Sequence, residues 1–316
     1  MQNPTVGVLI ATYNGERFLE EQLDSIFSQT YTNFKIYLSD DASNDSTSEI
    51  LKQYKAKYPQ QLFYIINQKN IGFVKNFEKL ISQCTEEYIA LADQDDIWHV
   101  QKLEKEMTAI GELKKEHGDS PFLINSDLEM IDEGRNTLHH SYFKFRKYKL
   151  RDTKDVGHIL GPCAIMGNTL LFNQKLKNII LPFPDSLDMH DYWIGVNCEL
   201  FGVRKTLFEP LVLYRIHTAN SSNSAEKFEK KSFFSLLKRV DKLPNMQTNR
   251  KLFLPPLLVK VNDKEDLEVL NAYIDYLKFS KNRIKIYFSL LKYSLIKRDL
   301  PFRIGLFFKI IWKRQG

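Results

Sequence analysis

The sequence YIALADQDDIW, residues 88–98, places three carboxylates directly after a run of strand-forming residues. They are Asp93, Asp95 and Asp96, and like charges this close together repel one another. A divalent cation relieves the repulsion, since Mg²⁺ and Mn²⁺ prefer hard oxygen ligands and are often held by one or two carboxylates plus substrate phosphates. The alternative is a solvated acidic turn that caps a helix beginning near Trp98.

The run before these carboxylates is the last of four apolar segments of strand length. They read VGVLIA, KIYLS, LFYIIN and EYIALA, and a segment with apolar residues at helical spacing follows each of them. Four strand-to-helix alternations predict an α/β fold with a mainly parallel sheet and flanking helices. In such sheets ligands bind beyond the carboxyl ends of the strands. Three loops expected at that edge, TYNGE, SDDASND and DQDD, bring polar and acidic groups together.

Other nucleotide-binding and nucleic-acid-binding classes fit these loops less well. The first loop, ATYNGERF, lacks the GxGxxG of a Rossmann dinucleotide site and the glycine-rich basic loop typical of sugar nucleotidyltransferases. An acidic edge would repel the phosphates of a nucleic acid, so no nucleic-acid partner is expected.

Charge is distributed unevenly along the chain. Residues 226–316 contain 21 basic and 9 acidic residues, a net charge of +12, whereas the first 225 residues carry a net charge of −6. Residues 228–243 and 282–314 have the pattern of basic amphipathic helices, which lie in anionic membrane interfaces. FRIGLFFKIIW, residues 302–312, is too short to cross a membrane. The alternative is that these helices pack on the rest of the protein or form a homodimer.

The N-terminus runs straight into the first predicted strand. No charged-then-apolar cleavable segment precedes it. Together with the basic tail, this predicts a cytoplasmic protein held peripherally at the inner face of the cell membrane.

The order of the motifs resembles glycosyltransferase family 2, whose members have the GT-A fold. ATYNGERFLEEQLDSIFSQT, LSDDASNDST, NIGFVKNFEKLI and ALADQDDIW are similar to its nucleotide-sugar half. GPCAIMGNTLLFN, MHDYWIG and LYRIHTANSSN look like acceptor-side segments of the branch that transfers L-rhamnose from dTDP-β-L-rhamnose in bacterial cell-surface polysaccharide synthesis. The resemblance covers residues 5–224.

The resemblance implies a domain organisation. A GT-A catalytic domain would fill residues 1–225, with a nucleotide-sugar half at about 1–120 and an acceptor half at about 121–225. A basic amphipathic helical extension, residues 226–316, would follow it.

The resemblance also implies roles for the matched donor-site positions. Tyr13 would lie against the nucleotide base, and Asp41 would pair with the N3–H of uracil or thymine. Asp93 and Asp95 occupy DxD-like positions, which bind the ribose or sugar and a Mg²⁺ or Mn²⁺ ion on the diphosphate. The residues expected to bind the nucleotide-sugar donor are Ala11, Thr12, Tyr13, Asp40, Asp41 and Asp93.

Asp95 is the first choice as metal ligand, with His217 in YRIHTAN as a second and Asp93 as a further one. Asp191 in MHDYW matches the position of the catalytic base. The alternatives are that Asp191 only complements a helix dipole and that His217 is an exposed loop histidine.

Three further candidates adjoin these positions: Asp96, His190 and Trp98. His190 is expected to orient or pack beside Asp191, and Trp98 to fill the core or line the sugar pocket. The basic aromatic segment LHHSYFKFRKYKLRD, residues 138–152, has two interpretations, a loop facing the acceptor or diphosphate and an amphipathic helix packed on the core.

The reaction expected from these residues is transfer with inversion. Displacing a nucleoside diphosphate places negative charge on the departing phosphate, which a cation stabilises, while a carboxylate removes the proton of the acceptor hydroxyl. The expected donor is dTDP-β-L-rhamnose, and the expected acceptor is a saccharide on a lipid carrier. A transferase that uses a UDP-hexose such as UDP-glucose or UDP-galactose is the first alternative, and a non-catalytic carbohydrate-binding protein is the second.

Overall fold

A computed structural model of the chain describes residues 4–218, 249–278, 282–296, 303, 304, 306, 307 and 310. The amphipathic segment predicted at residues 228–243 lies outside the described residues, as does most of FRIGLFFKIIW. The domain boundary expected at residue 225 also falls outside them.

The four strands predicted in the first hundred residues are present, and a helix follows each. The strands are β1 (Val6–Thr12), β2 (Phe34–Asp40), β3 (Leu62–Ile66) and β4 (Tyr88–Ala92). The helices are α1 (Leu19–Phe27), α2 (Thr47–Lys57), α3 (Phe73–Gln83) and α4 (Lys102–His117). The strands pair in parallel in the order β3-β2-β1-β4. Strand β1 reads as a continuous apolar run because it is buried on both faces of the sheet.

The second half of the chain extends the same sheet. Its strands are β5 (Ile97–Trp98), β6 (Phe122–Ile131), β7 (Thr137–His139), β8 (Leu170–Asn173) and β9 (Val203–Arg215). The full order is β3-β2-β1-β4-β8-β6-β9-β5, with β7 beside β6. Strand β8 runs antiparallel between β4 and β6, whereas β9 is parallel to β6. The predicted α/β architecture is therefore confirmed, with antiparallel strands inserted after the first four.

The remaining helices flank this half of the sheet and continue into the extension. They are α5 (Tyr142–Phe145), α6 (Val156–Leu160), α7 (Gln174–Ile180), α8 (His190–Phe201), α9 (Arg250–Phe253), α10 (Lys264–Leu277) and α11 (Arg283–Lys292). Helix α8 is buried from its first residue through Glu199, so it is a core helix.

The described part of the basic extension packs on the rest of the protein. A Cβ atom added at Gly157 or Gly161 would overlap a backbone carbonyl of Tyr293 or Leu295, so helix α6 meets that segment backbone to backbone. The ring of Phe253 contacts Trp193 edge-on, with 5.7 Å between ring centres. The sequence left open whether the basic helices lie on a membrane or pack on the rest of the protein. The residues in these contacts pack on the rest of the protein. Among the helices that the structure describes, none has the length and apolar character needed to span a bilayer.

Candidate active site

Gln94 connects the first loop, which follows β1, to the acidic loop, residues 93–96, which follows β4. Its Oε1 accepts hydrogen bonds from the backbone N–H of Tyr13, at 2.9 Å, and from the hydroxyl of Thr12. Its Nε2 donates to the Tyr13 carbonyl at 3.1 Å. The three bonds hold the carboxyl ends of β1 and β4 together. The sequence analysis did not single out Gln94, although its position between Asp93 and Asp95 indicated that it lies in the candidate site.

The predicted donor-binding residues converge at the ends of β1 and β2. Ala11 pairs with Ser39 and Thr12 with Asp40 in the parallel ladder. The Tyr13 side chain is 44% exposed, which leaves its ring accessible to a ligand.

Asp40, the last residue of β2, and Asp41, which follows it, are both buried and have different hydrogen-bond partners. Asp40 is buried and accepts hydrogen bonds from the hydroxyl and backbone N–H of Ser43; burial raises its pKa. Asp41 accepts from the backbone N–H groups of Ile71 and Gly72, both at 2.9 Å, and from the Asn67 amide at 2.8 Å. Of these bonds only the one from Gly72 falls on Oδ2, which leaves that oxygen able to accept another donor.

The acidic loop meets the C-terminal end of β9. Oδ2 of Asp95 lies 2.8 Å from Nε2 of His217, whose ring packs on Phe18 with 5.1 Å between ring centres. His217 is therefore fixed against the acidic loop and is not an exposed loop histidine.

Arg215, which sequence reasoning also missed, anchors this loop. Its Nε donates to the Asp95 carbonyl and its backbone N–H to Oδ1 of Asp96, both at 3.0 Å. The Asn168 amide donates to the other oxygen of Asp96. Asp96 is fully buried, and burial together with the charges of Asp95 and Asp93 raises its pKa. Both Asp96 oxygens are thus engaged by protein groups.

Asp191 lies in the first turn of α8 and is 7% exposed. Its Oδ1 accepts a 2.6 Å hydrogen bond from the backbone N–H of Tyr192. Burial raises the pKa of Asp191 to about 6. Burial also raises the pKa of Asp93, and the charges of Asp95 and Asp191 add to the effect. The structure therefore brings Asp191, predicted as the base, into the electric field of the acidic loop.

His190 is buried between helices α8 and α3. Its ring stacks on Phe77, with 4.3 Å between ring centres, and neither ring nitrogen has a hydrogen-bond partner among the described residues. Burial lowers its pKa to about 3, so the imidazole is neutral. A Cβ at Gly167 would lie 3.0 Å from its Nε2. His190 therefore packs beside Asp191.

Trp98 lies in the core below the acidic loop. It is buried, its backbone N–H donates to the Ser25 hydroxyl, and its ring faces the Lys102 ammonium at 4.2 Å. The ammonium itself forms a fully buried ion pair with Glu106. Of its two predicted places, Trp98 occupies the core.

Comparison with known proteins identifies the family. Residues 7–172, more than half of the chain, match the model of glycosyl transferase family 2. The chain belongs to glycosyltransferase family 2. An uncharacterized glycosyltransferase, MJ1057 of Methanocaldococcus jannaschii, is 29% identical over 74% of this chain and 78% of its own length. The dTDP-rhamnosyl transferase RfbG of Shigella flexneri is 40% identical, but over 30% of this chain and 34% of its own length.

Solved structures support the GT-A fold of this glycosyltransferase. TarS of Staphylococcus aureus, residues 1–349 in complex with UDP-GlcNAc, covers 97% of this chain and 81% of its own with a TM-score of 0.60 at 17% identity. The mannosyltransferase PcManGT of Pyrobaculum calidifontis, in complex with GDP-Man and Mn²⁺, covers 99% and 77% with a TM-score of 0.55 at 15% identity. At such identities the likeness shows the fold alone.

The acidic loop of the glycosyltransferase has the donor chemistry for a divalent cation. No three His, Cys, Asp or Glu side chains in the described ranges form a complete metal site. Asp95 and His217 nevertheless present an oxygen and a nitrogen at hydrogen-bond distance. Mg²⁺ is often held by one or two carboxylates and substrate phosphates, so Asp95 fits an ion completed by a diphosphate, and His217 lies next to that carboxylate.

The basic extension reaches the surroundings of Asp191. The Arg250 guanidinium lies 3.6 Å from the ring centre of Tyr192 and donates to the Leu160 carbonyl at 3.2 Å. Its charge lowers the pKa of Asp191, against the larger effect of burial. Helix α9 therefore contributes a cation close to the predicted base.

Proposed function

We propose that this glycosyltransferase is a metal-dependent, inverting enzyme. It transfers L-rhamnose from dTDP-β-L-rhamnose to a hydroxyl of a growing cell-surface polysaccharide or lipid-linked saccharide. The observation that carries the proposal is the position of a buried carboxylate, Asp191, near the acidic loop that holds Asp93 and Asp95. Asp191 lies beside Gly167, and the amide of the adjacent Asn168 donates to Asp96 in that loop. One site then contains both the carboxylates that would bind a cation on the diphosphate and the base that would deprotonate the acceptor hydroxyl.

The metal ligands in this proposal are Asp95 and His217, with Asp93 as a further one. A bound Mg²⁺ or Mn²⁺ would supply positive charge for the departing diphosphate. Arg215 holds the Asp95 backbone, so this carboxylate is positioned before a donor arrives. PcManGT, which was solved with Mn²⁺, has the same fold.

Asp191 acts as the base. With a pKa of about 6 it is ionised at neutral pH and takes the proton of the acceptor hydroxyl. The hydroxyl oxygen then bonds to the anomeric carbon as the bond to the diphosphate breaks. A single displacement of this kind inverts the configuration. The product from a β-L-rhamnosyl donor would be an α-L-rhamnoside.

The nucleotide would bind at the ends of β1 and β2, against Ala11, Thr12, Tyr13, Asp40 and Asp41. Oδ2 of Asp41 would accept the N3–H of the pyrimidine, and the exposed Tyr13 ring would lie against the base. The partial likeness to RfbG favours a dTDP-sugar. A UDP-hexose is the alternative donor, because uracil and thymine present the same N3–H, and TarS was solved with UDP-GlcNAc.

The basic extension, residues 226–316, would also attach this catalytic domain of residues 1–225 to an anionic membrane on the cytoplasmic side. Ile284 and Phe288 lie one turn apart on α11 and are 59% and 60% exposed. Lys285 and Lys292 are exposed on the same helix. Exposed apolar side chains among lysines suit a surface of anionic lipids, where a lipid-linked acceptor would also lie.

The test is donor hydrolysis by the purified full-length chain. The donors are dTDP-β-L-rhamnose, dTDP-glucose, UDP-glucose and UDP-galactose, each with Mn²⁺, Mg²⁺ or EDTA. We expect metal-dependent hydrolysis with preference for the rhamnosyl donor and loss of turnover in Asp191→Asn. Preference for a UDP-hexose would overturn the named donor, and sugar binding without turnover of any donor would favour a carbohydrate-binding protein.

A further inference from the structure

The basic aromatic segment after β7 carries a concentration of positive charge. No described carboxylate lies within 4 Å of the side-chain nitrogens of its five cations. These cations are Lys144, Arg146, Lys147, Lys149 and Arg151. Like charges on neighbouring residues repel one another, and the field that they create attracts anions.

Arg146 differs from the other four because it is half-buried. Its Nη1 donates to the Tyr142 hydroxyl at 3.1 Å, and its guanidinium carbon lies 5.5 Å and 5.7 Å from the ring centres of Tyr142 and Tyr148. A guanidinium has five N–H donors in a planar fork, and one has a partner among the described residues. Burying a charge without an opposite charge costs free energy, which an anionic ligand would recover.

The protein holds this arginine in place. The Ser141 hydroxyl donates to the buried carboxylate of Asp127 on β6, and the backbone N–H of Phe143 donates to the same carboxylate at 3.0 Å. The core-packed interpretation of this segment expects Tyr142, Phe143 and Phe145 in the core; Tyr142 and Phe143 are buried, whereas Phe145 is half-buried. The backbone N–H of Tyr148 donates to the Phe143 carbonyl at 2.8 Å, which folds the chain back behind α5. Arg146 is thus placed by a short anchored helix.

The two tyrosines that contact Arg146 also feel the charge of the proposed base. Burial raises the pKa of Tyr148 and of Tyr142, and the charge of Asp191 adds to both effects. Both tyrosines that frame Arg146 are therefore within electrostatic reach of Asp191. A group bound by the guanidinium would be held beside a hydroxyl that Asp191 deprotonates.

We propose that Arg146, framed by Tyr142 and Tyr148, binds an anionic group of the saccharide acceptor, either a phosphate or a carboxylate. The planar fork suits both, since each offers two oxygens for paired hydrogen bonds. This inference rests on the proposed function, because it names the acceptor class of the same site. The anion has two sources: the diphosphate of a lipid carrier and an acidic sugar residue.

Binding of three acceptor analogues tests the proposal. They are octyl β-glucoside, octyl β-glucuronide and octyl diphosphate, measured by calorimetry on the full chain saturated with Mn²⁺ and dTDP. We expect the wild type to bind a charged analogue more tightly than octyl β-glucoside, and the preferred analogue identifies the source of the anion. Arg146→Gln should weaken that binding roughly 10- to 100-fold, as expected for a lost charge-assisted hydrogen bond, and leave binding of the glucoside unchanged. Arg146→Lys should recover part of the loss.

Lys144→Ala is the matched control, since it removes an exposed cation from the same segment. The proposal would be overturned if the wild type bound all three analogues equally or bound none of them. It would also be overturned if Lys144→Ala weakened binding of the charged analogue as much as Arg146→Gln does. Weakened binding of Mn²⁺ and dTDP in Arg146→Gln would also overturn it, because the arginine would then hold the donor. Donor hydrolysis measured without acceptor distinguishes failure of the proposed function from failure of this inference. If the wild type hydrolyses the donor but binds charged and uncharged analogues equally, only this inference is refuted.

Discussion

Nε2 of His217 lies 2.8 Å from Oδ2 of Asp95, although 122 residues separate them along the chain. Strand pairing produces this contact: β5 follows the acidic loop and pairs antiparallel with β9, with Ile97 opposite Leu213. Arg215 adds a bond to the Asp95 carbonyl. The two proposed metal ligands are therefore brought together by the register of the sheet, before any ion binds.

Replacing either ligand should abolish metal-dependent nucleotide binding. In Asp95→Asn and His217→Ala we expect the affinity for dTDP in the presence of Mn²⁺ to fall about 100-fold, because the ion that bridges protein and diphosphate is lost. Binding in EDTA should change little. Calorimetry with dTDP measures both, and His140→Ala, which removes an exposed imidazole, is the control. Retained affinity in His217→Ala would contradict the assignment of this histidine.

The rate of transfer should follow the ionisation of Asp191. Its pKa is raised to about 6, and the base must be deprotonated, so kcat should fall about tenfold per pH unit below about pH 6. Removing the positive charge in Arg250→Gln should raise this pKa and shift the acid limb to higher pH. Lys251→Gln, which removes the exposed neighbouring cation, should leave the profile in place. A profile that is the same in all three proteins would contradict the influence of Arg250.

The same carboxylate should cost stability at neutral pH. A folded-state pKa of about 6 exceeds the value near 3.9 expected in the unfolded chain, so the folded state binds protons more tightly. The cost is fully present above about pH 6 and is relieved as the pH falls toward 4. Asp191→Asn should therefore be more stable than the wild type at pH 7, by roughly 1–3 kcal/mol, and lose this advantage near pH 4. Denaturant unfolding at both pH values measures the difference; equal stabilities at pH 7 would contradict it.

Much of the fold could be predicted because its first half is locally encoded. Each strand from β1 to β4 is a continuous apolar run followed by a helical pattern, and the parallel pairing, though not the order of the strands, follows from that alternation. The insertion of β8 between β4 and β6 could not be predicted, since it joins segments more than 80 residues apart. Pairing at that distance leaves no local trace in the sequence.

Some residues of the candidate site could be predicted from the sequence, and others could not. Asp93, Asp95 and Asp191 could be proposed from the order of the motifs and the family resemblance, because a carboxylate at a strand end or helix start can also be a turn residue or a helix-dipole partner. Arg215 reads as an unremarkable basic residue, because its partners lie 82 to 194 residues earlier in the chain. The sequence DQDD also does not show that Asp95 contacts His217 whereas Asp96 accepts a hydrogen bond from Asn168. The backbone conformation of the loop directs the two carboxylates to these different partners.

The contact between α6 and the extension predicts a stability difference between two glycine variants. In Gly157→Ala the new methyl group would overlap the Tyr293 carbonyl, and we expect a loss of roughly 1–3 kcal/mol as the extension shifts. In Gly111→Ala the methyl group meets no atom within 4 Å inside α4, and we expect a gain of about 0.5–1 kcal/mol from helix propensity. Thermal unfolding measures both, and faster proteolysis near residue 293 should accompany only Gly157→Ala. An unchanged midpoint in Gly157→Ala would show that the extension is not docked in this way.

Membrane association is better tested by point substitutions than by truncation, because Tyr293 and Leu295 pack on α6 and their removal would disturb the catalytic domain. On α11, Ile286 and Leu290 are buried, whereas Ile284 and Phe288 are exposed.

The double variant Ile284→Gln with Phe288→Gln should therefore leave folding intact and reduce binding to anionic vesicles. Two apolar side chains withdrawn from the interface predict a loss of about tenfold or more. Co-sedimentation with vesicles of phosphatidylglycerol and phosphatidylcholine measures it, and raised salt should weaken the wild type further because lysines contribute. Val259→Gln is the control, since Val259 is 89% exposed and lies outside α11. Wild-type binding by the double variant would mean that this face does not contact lipid, and an equal loss in Val259→Gln would mean that the contact is not specific to α11.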